Sequence, residues 1–504
     1  MMWLPILMVL TYFAGMAYVV YSHPLPKIDL DEVTVAGRSF GWLFMTMTIV
    51  GTWYGGVMYV GFTQMAIDNG VVASYVAFYT LGGLFFLYLI GGRYWKVGKR
   101  YNVRTQGQFF ELRYRSRPLR VFVALCTVII EFPWIVAELL ATGYVIYALT
   151  RGVVPVTAGV ILVGAFFIAY VTFAGARAVI IADFYQGWMW IFGGVLLVIC
   201  GVYYYFGGFL PMFATILEKR PESLALPGLG WDPLPGPLFW VSLIISGSVG
   251  AYCWPSLFAR IMAASSSREL KKTSLVTPFI VVVYGLLIIW LAVGFGTFPE
   301  EVLGDDHQYS FLKIISAMGP AAIAIISVLI LNGALSMCDS MVSSWGSVVV
   351  NDVFSLALPS WDSRRLGRLV LIMNFIVGCL GVIVATLPLP TIIELVMVMY
   401  QGIIQIFPLL ILGIFWKRGT AVAAWGGLLS GLAVTGYYSF TAPFYIPQFA
   451  GLQAGLLGLI VNFAVYLILA LAFPAPKDID EVFATMTMKD ADILSEPGLE
   501  VQNA

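Results

Sequence analysis

Charged side chains are scarce in this sequence of 504 residues: Asp, Glu, Lys and Arg together make up 11% of it, whereas 60% is hydrophobic. A water-soluble protein of this length needs a far more charged surface to stay in solution. The mean hydropathy is +0.92, and the apolar residues occur in runs of about 20, the length of a helix that crosses a bilayer. The composition therefore excludes a soluble protein and predicts a polytopic membrane protein.

Residues and motifs that carry metal, redox or nucleotide chemistry are also scarce. The five cysteines lie singly in apolar runs, where cysteine usually acts as a small apolar side chain, and no CxxC or Cys/His cluster predicts a metal centre. The two histidines, His23 and His307, lie in loops with no evident partner. There is no GxxxxGK motif for ATP and no nucleophile–base pair. We therefore expect no enzyme, no cofactor and no nucleic-acid partner.

Thirteen apolar stretches are long enough to be membrane spans. The first begins MMWLPILMVL without a basic segment, and no A-x-A cleavage site follows it, so we expect it to be retained rather than removed as a signal peptide. The stretches comprise residues 2–22, 39–66, 71–92, 119–150, 155–174, 178–206, 237–263, 274–298, 320–349, 367–388, 391–415, 420–440 and 452–474.

Basic residues are distributed unevenly along these stretches. With the N-terminus outside and the C-terminus inside, four of the 27 Lys and Arg lie outside and the other 23 lie inside, nine of them in the segment 93–120. The opposite orientation would contradict the positive-inside rule. We predict a multi-pass protein of the plasma or inner membrane with a cytoplasmic C-terminus. The outer basic residues are Arg151, Lys219, Arg220 and Lys313.

Ionisable residues inside membrane spans are costly and are functional candidates by default. Glu131 and Glu138 are seven residues apart, which places them on one face of a helix. Asp339 lies in the middle of the ninth span. Asp183 and Glu394 lie near span ends, where a structural cap is an equal alternative, and the roles of Glu131 and Glu394 stay open.

Glycine interrupts two spans at unusual places. The second span contains GTWYGG (51–56) and the seventh contains SGSVGAYCWP (246–255). Glycine weakens a helix and proline removes a backbone donor. In transporters built from inverted repeats, broken helices at corresponding positions line the substrate site, and these two spans are five apart, as two five-helix repeats require. The alternative is close helix packing through small residues.

Several spaced motifs resemble the sodium:solute symporter family. FAGARAVIIADFYQG (173–187) is similar to a family pattern, and LFARIMAASSSRELKK (257–272) is similar to its basic segment after the seventh span. VTVAGRSFG and TQGQFFELRYRS also fit, and the resemblance runs from about 33 to 418. It implies an all-α membrane protein with the leucine-transporter type of inverted repeat, five plus five helices. The matching residues of the first motif are Ala174, Gly175, Ala178, Val179, Asp183 and Gln186.

Four stretches are most similar to the high-affinity choline transporter branch of that family: GTWYGG, IEFPWIVAELLATG, YCWPSLFAR and SMCDSMVSS. This resemblance implies that Trp53, Trp134 and Trp254 enclose a substrate ammonium, with Tyr54 adjacent and contributing through its backbone. A quaternary ammonium has no hydrogen to donate, so aromatic faces and nearby negative charge must recognise it. The alternative for any single tryptophan is an ordinary position at the membrane interface.

The resemblance also implies a sodium site between the second and ninth spans. The matching positions are the backbone of Gly51, Tyr54 and Gly333, the hydroxyl of Ser336, and Met337 in place of a second hydroxyl residue. Sodium is a hard cation that prefers oxygen, and a thioether is a poor substitute. Met337 therefore weakens the expectation of this sodium site.

Carboxylates provide two further ways to couple transport to a cation. Asp339 lies three residues after Ser336 on the same helical face, and some family members hold a second sodium with the residues matching Asp339, Ser340 and Asp183. Alternatively, a carboxylate takes up a proton. Glu138 stands where the choline branch has an apolar residue, on the same helical face as a predicted cage tryptophan, and it favours an amine with N–H donors.

We predict a symporter that imports a choline-like, other amine or zwitterionic solute by alternating access, driven by sodium or by protons. Open alternatives are a symporter or facilitator for a small carboxylate or neutral amino acid, favoured if a basic residue faces the site, and a transporter-like ligand sensor. The partners are the solute, the coupling cation and the lipid bilayer; the oligomeric state stays open. The predicted divisions are a peripheral helix and loop (1–38), the first repeat (39–206), an external loop with the second repeat (207–418), two peripheral helices (419–474) and a cytoplasmic tail (475–504).

Overall fold

The structure is a computed structural model that describes residues 3–172, 175–231, 235–441, 445–476 and 479–495. Ala174 of the family-like motif and residues 496–504 of the predicted tail lie outside the described residues. Each of the thirteen predicted spans coincides with a helix or with two consecutive helices. In the first half of the chain these and the shorter helices are α1 (Trp3–Ser22), α2 (Leu30–Val35), α3 (Trp42–Trp53), α4 (Thr63–Asn69), α5 (Tyr75–Phe86), α6 (Gly92–Arg100), α7 (Gln106–Tyr114), α8 (Arg117–Leu149), α9 (Val156–Val171), α10 (Ala176–Phe206) and α11 (Phe209–Lys219).

The second half of the chain repeats the pattern of long apolar helices. Amphipathic or polar short helices connect them on both sides of the membrane. The helices are α12 (Leu238–Cys253), α13 (Pro255–Ala263), α14 (Ser267–Phe295), α15 (Glu300–Leu303), α16 (His307–Ala317), α17 (Pro320–Val349), α18 (Ser355–Ala357), α19 (Ser363–Ala385), α20 (Ile392–Ile403), α21 (Phe407–Phe415), α22 (Ala421–Thr441), α23 (Ala454–Ala472), α24 (Asp480–Thr487) and α25 (Asp490–Ser495).

Some helices extend well beyond the predicted spans. α14 begins at Ser267, seven residues before the predicted bound of 274, because Ser266 caps it: the Ser266 hydroxyl accepts a hydrogen bond of 3.3 Å from the Glu269 amide. The sequence Ser-Arg-Glu-Leu is helical but too polar to count as part of a hydrophobic span. Hydropathy therefore locates the part of a helix inside the bilayer and misses capped ends outside it.

Both predicted helix breaks are confirmed. α3 ends at Trp53, Tyr54 has a non-helical backbone (φ −121°, ψ 81°), and helical structure resumes with a π-helical turn at Met58–Phe62 that leads into α4. In the seventh span, α12 and α13 are bent by 51° at Trp254. Pro255 begins α13 because the first residue of a helix needs no amide donor.

The two broken helices lie around a central α17. α17 packs against α8, α10 and α3, and α8 packs in turn against α9 and α20. α22 and α23 pack mainly against each other at the periphery. The Phe40 amide donates to the Ala263 carbonyl (3.2 Å), and Phe40 accepts from the Ser265 amide (2.9 Å), so the ends of the two broken helices on the predicted cytoplasmic side are joined.

The described part of the predicted tail folds back onto the protein on that same side. Asp490 accepts hydrogen bonds from the Ser267 amide (2.9 Å) and hydroxyl (2.6 Å) at the first turn of α14. Glu481 pairs with Arg100 at 3.4 Å, and Asp480 pairs with Lys417. α24 and α25 are thus packed helices rather than an extended polar segment.

Candidate functional site

The break after α3 interrupts the helical hydrogen bonds of the backbone within the second predicted span. The last four carbonyls of a helix and the first four amides of the next have no intrahelical hydrogen bond. Here the Met58 and Tyr59 amides donate to the Gly55 and Gly56 carbonyls (3.1 and 3.0 Å), and the Val57 amide bonds to a side chain of another helix.

The Tyr54 side chain points away from the break: its hydroxyl donates to the Val76 carbonyl (3.3 Å) and its ring stacks on Trp190. Tyr54 can therefore contribute to the break only through its backbone.

The two glycines of the break have separate contacts. A Cβ added to Gly55 would overlap the carboxylate of Glu138. A Cβ added to Gly56 would lie 2.9 Å from the Ile330 carbonyl and 3.0 Å from Ala334 Cβ, both on α17. Gly55 thus admits a carboxylate and Gly56 admits a neighbouring helix.

The structure brings the three predicted tryptophans together. Trp254 lies between the other two, with its ring centroid 6.2 Å from that of Trp53 and 5.5 Å from that of Trp134. Tyr400 of α20, which the sequence analysis did not identify, completes the cluster at 5.5 Å from Trp134 and 5.9 Å from Trp254. All four side chains are buried. We call these four residues the aromatic cage.

Polar groups of the cage remain available. The indole N–H groups of Trp53 and Trp254 are buried and have no hydrogen-bond partner among the described residues. A narrow cavity of about 10 Å³, room for about one water molecule, borders both tryptophans and also Thr52 and Arg260. A larger ligand requires this space to open, and it would then meet two aromatic faces and two unpaired donors.

Glu138 lies between the cage and the helix break. The Trp134 indole donates to Glu138 Oε1 (3.0 Å), and the Val57 amide donates to Oε2 (3.2 Å). The side chain is completely buried, and no Lys or Arg forms an ion pair with it among the described residues. The carboxyl group therefore touches both the broken helix and the cage.

A second polar cluster surrounds Asp183 and contains part of the predicted ion site. The hydroxyls of Ser336 and Thr48 each donate to the Asp183 carboxylate at 2.5 Å, and Ser340 donates at 3.3 Å. A Cβ added to Gly51 would lie 3.0 Å from Ser336 Oγ, so α3 and α17 are in contact here. Carboxylate and hydroxyl oxygens are the ligand atoms that a hard cation such as sodium prefers.

Arg260 completes this cluster, so a basic residue, the condition named above for a carboxylate substrate, lies beside the predicted ion site. Its guanidinium bonds to Asp183 (3.0 Å), to Ser340 Oγ (2.5 Å) and to Thr48 Oγ1 (3.0 Å), and only 7% of the side chain is exposed. The sequence analysis counted Arg260 as a cytoplasmic charge, although it lies within the predicted seventh span. In the structure it is the counter-ion of Asp183.

Asp339 does not join the Asp183 cluster. Its Oδ2 accepts a hydrogen bond of 2.6 Å from the Tyr170 hydroxyl of α9, and its Oδ1 has no partner among the described residues. Gly333 instead packs at the break: a Cβ added there would lie 2.7 Å from the Gly55 carbonyl carbon. Met337 is buried as predicted for its span, and its side chain supplies no oxygen.

Two other carboxylates, Glu131 and Glu394, form hydrogen bonds away from both the cage and the Asp183 cluster. Glu131 accepts a hydrogen bond of 2.7 Å from the indole of Trp345 on α17, two helical turns from Glu138. Glu394 accepts from the Thr391 amide (2.8 Å) in a capping box, so it caps α20. The structural alternative is therefore the one observed for Glu394.

A second cavity, of about 30 Å³, lies beside the Asp183 cluster towards the predicted cytoplasmic side. Its wall includes Arg260, Ser340 and Ser344 together with Thr34 of α2 and Ala263 at the end of α13. Ser256 and Arg260 border both cavities. Arg260 therefore separates the space beside the cage from the space on the predicted cytoplasmic side.

Two broken helices, a buried aromatic cluster between them and a neighbouring oxygen-rich cluster are the features of a secondary transporter. The sequence profile of the sodium:solute symporter family matches residues 34–431. The chain belongs to that family, as the motifs predicted. It is a multi-pass membrane symporter and not an enzyme, and the family implies a small solute and sodium as the transported species.

Known relatives agree with this assignment. YodF, an uncharacterised symporter of Bacillus subtilis strain 168, is 26% identical over 450 residues, which are 88% of each chain. The sodium/pantothenate symporter of Escherichia coli K12 is 22% identical over 409 residues, 80% of this chain and 83% of the relative. A substrate-bound, outward-open structure of a Na⁺-coupled sialic acid symporter superposes with a TM-score of 0.77 at 16% identity, covering 94% of this chain and 98% of that one. That similarity confirms the predicted all-α inverted-repeat fold.

Proposed function

We infer that the protein imports a small amine, choline-like or otherwise cationic or zwitterionic, together with sodium by alternating access. The observation that carries this inference is the aromatic cage with a carboxyl group beside it. A desolvated cation over a tryptophan face is stabilised by about 2 kcal/mol or more. Glu138, which has no cationic partner among the described residues, can pair with that cation, because a neighbouring ammonium favours the ionised form of a carboxyl group.

The charges around the cage favour a cation over an anion. Glu138 and Asp339 are buried without a cationic partner among the described residues, whereas Arg260 is paired with Asp183. A positively charged substrate therefore enters a site with an excess of acidic groups.

Sodium coupling at the Asp183 cluster is supported by its oxygen donors. Asp183, Ser336, Ser340 and Thr48 can supply a carboxylate and three hydroxyls, which suit a hard cation. Arg260 holds the same groups in the present conformation, so a sodium ion would have to displace it. Proton uptake by a buried carboxyl group is the alternative means of coupling.

A small carboxylate is the second candidate substrate, because Arg260 borders the cavity beside Trp53 and Trp254. Its guanidinium already donates to Asp183, Ser340, Thr48 and the Ser256 carbonyl, which uses four of its five N–H groups. A carboxylate would have to break these contacts to bind.

Transport by the purified protein in liposomes tests these assignments. Labelled choline uptake is measured under an inward sodium gradient and, separately, under a proton gradient, for the wild type, for Trp53→Ala and for the matched control Trp425→Ala on the peripheral helix α22. We expect sodium-driven uptake that Trp53→Ala reduces at least about tenfold and Trp425→Ala leaves intact. Uptake driven by protons alone would move the coupling to a carboxyl group. Uptake of a labelled small carboxylate is measured in the same way. If the carboxylate is taken up and choline is not, the second candidate replaces the first.

A further inference from the structure

The chain's own carboxylate occupies the amide end of the broken helix. Helical structure runs without interruption from Met58 to Asn69, and the N-terminal end of a helix carries partial positive charge that attracts anions. The Met58 and Tyr59 amides donate to the Gly55 and Gly56 carbonyls, so the amide before them, that of Val57, is the one that meets the carboxylate. The Val57 amide donates to Glu138 Oε2 at 3.2 Å, and Gly55 lacks the Cβ that would exclude the carboxyl group.

Glu138 is held at this position from a second side. The Trp134 indole donates to its Oε1 at 3.0 Å, which fixes the carboxyl group between a cage ring and the broken helix. By contrast, the indole N–H groups of Trp53 and Trp254 are buried and unpaired among the described residues. Two N–H donors on the other side of the cage are thus free to bond to a ligand, whereas the Val57 amide at the start of the helix already donates to Glu138.

A second carboxylate cannot bind beside Glu138 without strong repulsion. Two like charges in direct contact inside a protein repel each other far more strongly than they do in water, because the effective dielectric constant is lower. A ligand that carries both an ammonium and a carboxylate would place its ammonium in the cage and its carboxylate near the helix end, where Glu138 lies. A ligand with an ammonium and a neutral group meets no such repulsion.

We propose that Glu138 is a specificity residue that admits cationic amines and rejects amines that also carry a carboxylate. The proposal rests on the proposed function, because it takes the cage to be the amine site. It narrows that function from amines and zwitterions to amines with net positive charge. Removing Glu138 should open the amide end of the helix to a ligand carboxylate.

Two variants separate the charge of Glu138 from its volume. Glu138→Gln keeps an oxygen that can accept from the Val57 amide, so the helix end stays occupied while the negative charge is lost. Glu138→Ala removes the group and leaves the amide free. Glu131→Gln is the matched control, since Glu131 is an equally buried carboxyl group on the same helix that contacts Trp345 outside the cage.

The experiment measures dissociation constants of the purified protein in saturating sodium for choline and glycine betaine, which share a trimethylammonium group and differ by a carboxylate. Ethanolamine and glycine form a second pair. We expect the wild type and Glu131→Gln to bind choline at least about tenfold more tightly than glycine betaine, and Glu138→Gln to lose at least about tenfold in choline affinity without gaining glycine betaine. Glu138→Ala should reverse the preference.

The outcomes distinguish this proposal from the proposed function. Equal wild-type affinity for both members of a pair, or a Glu138→Ala protein with an unchanged ratio, overturns the specificity role while the amine site stands. Absence of all amine binding in the wild type overturns the amine site and the specificity role together. The wild-type ratio tests the proposal even if a variant does not fold, and thermal unfolding identifies such a variant.

Discussion

At the scale of single residues, the GTWYGG stretch contains two glycines with different tasks. Gly55 leaves room for the Glu138 carboxyl group, and Gly56 lets α17 approach the break. A sequence pattern shows only that the helix is weakened at this place. Which glycine serves which neighbour depends on α8 and α17, which are distant in the sequence.

Replacing Gly55 by alanine should displace Glu138, because the added Cβ overlaps its carboxyl group. We expect at least about tenfold weaker amine binding and a destabilisation of about 1–3 kcal/mol, the usual range for overpacking a filled interior. Gly436→Ala is the matched control: a Cβ there meets nothing within 4 Å in the helix α22, so this change should be neutral or slightly stabilising. Ligand titration and thermal unfolding measure both effects, and equal behaviour of the two variants would contradict the assigned contact.

Removing Arg260 should expose a cation site at Asp183. Loss of one member of a buried ion pair costs about 3–5 kcal/mol, because the other charge is left unpaired, and sodium can then replace the guanidinium among Asp183, Ser340 and Thr48. We expect sodium, compared with potassium, to raise the unfolding temperature more in Arg260→Ala than in the wild type. The double variant Arg260→Ala/Asp183→Asn should lose this response. An identical sodium response in all three proteins would disprove the role of Arg260 as a counter-ion.

Sequence reasoning identified the residues whose chemical type is unusual inside a membrane, such as Glu138 and the mid-span tryptophans. It missed Arg260 and Tyr400. The rule that ionisable residues inside spans are functional candidates would have identified Arg260, which lies three residues from the end of a predicted span. No local signal distinguishes Tyr400 from the other tyrosines, because its role follows from the packing of α20 against α8 and α12.

At the scale of helices, a contact between His307 and Asp68 joins α4, the second half of the broken helix, to the short helix α16. His307 Nδ1 lies 2.5 Å from Asp68 Oδ1, and Nε2 lies 3.1 Å from Glu300 Oε2. The expectation that His307 has no partner is thus wrong, since both acids come from other elements. Burial alone would lower the pKa of His307, but the hydrogen bonds and charges of Asp68 and Glu300 outweigh burial and raise it.

This raised pKa makes part of the stability dependent on pH. The contribution of protonated His307 is fully present below the unfolded-state pKa of about 6.5 and is lost as pH rises through the higher pKa of the folded state. Thermal unfolding should therefore show a loss of about one or two degrees on going from pH 6 towards alkaline pH, beyond that of His307→Gln. His23→Gln, which changes the other histidine, should retain the wild-type slope. Parallel pH profiles for the wild type and His307→Gln would contradict the assignment.

Among the predictions from the sequence, the positions of the long apolar helices were the most reliable. All thirteen apolar stretches became helices, because a segment in lipid must satisfy its backbone internally. The unpredicted elements, such as α2, α7, α16 and α24, are short and polar. Contacts with other segments determine their position, and hydropathy carries no information about those contacts.

At the scale of the whole molecule, the proposed direction of transport depends on the predicted orientation of the chain in the membrane. With the N-terminus outside, the exposed Lys219 faces the exterior and the exposed Arg364 faces the cytoplasm. A membrane-impermeant maleimide added to intact cells should label Lys219→Cys and not Arg364→Cys, and permeabilised cells should show both. The wild type supplies the background of the five native cysteines. The reverse labelling pattern would invert the assigned import into export.

The docked C-terminal segment has a consequence for observing motion in this protein. Asp490 caps the first turn of α14, which directly follows the broken helix α13. Any tilt of α13 and α14 must therefore carry α25 with it or break the hydrogen bonds to Ser267. The distance between a fluorophore on α25 and a second one on a peripheral helix would therefore report movement of α13 and α14 during transport. Neither label would lie in the aromatic cage.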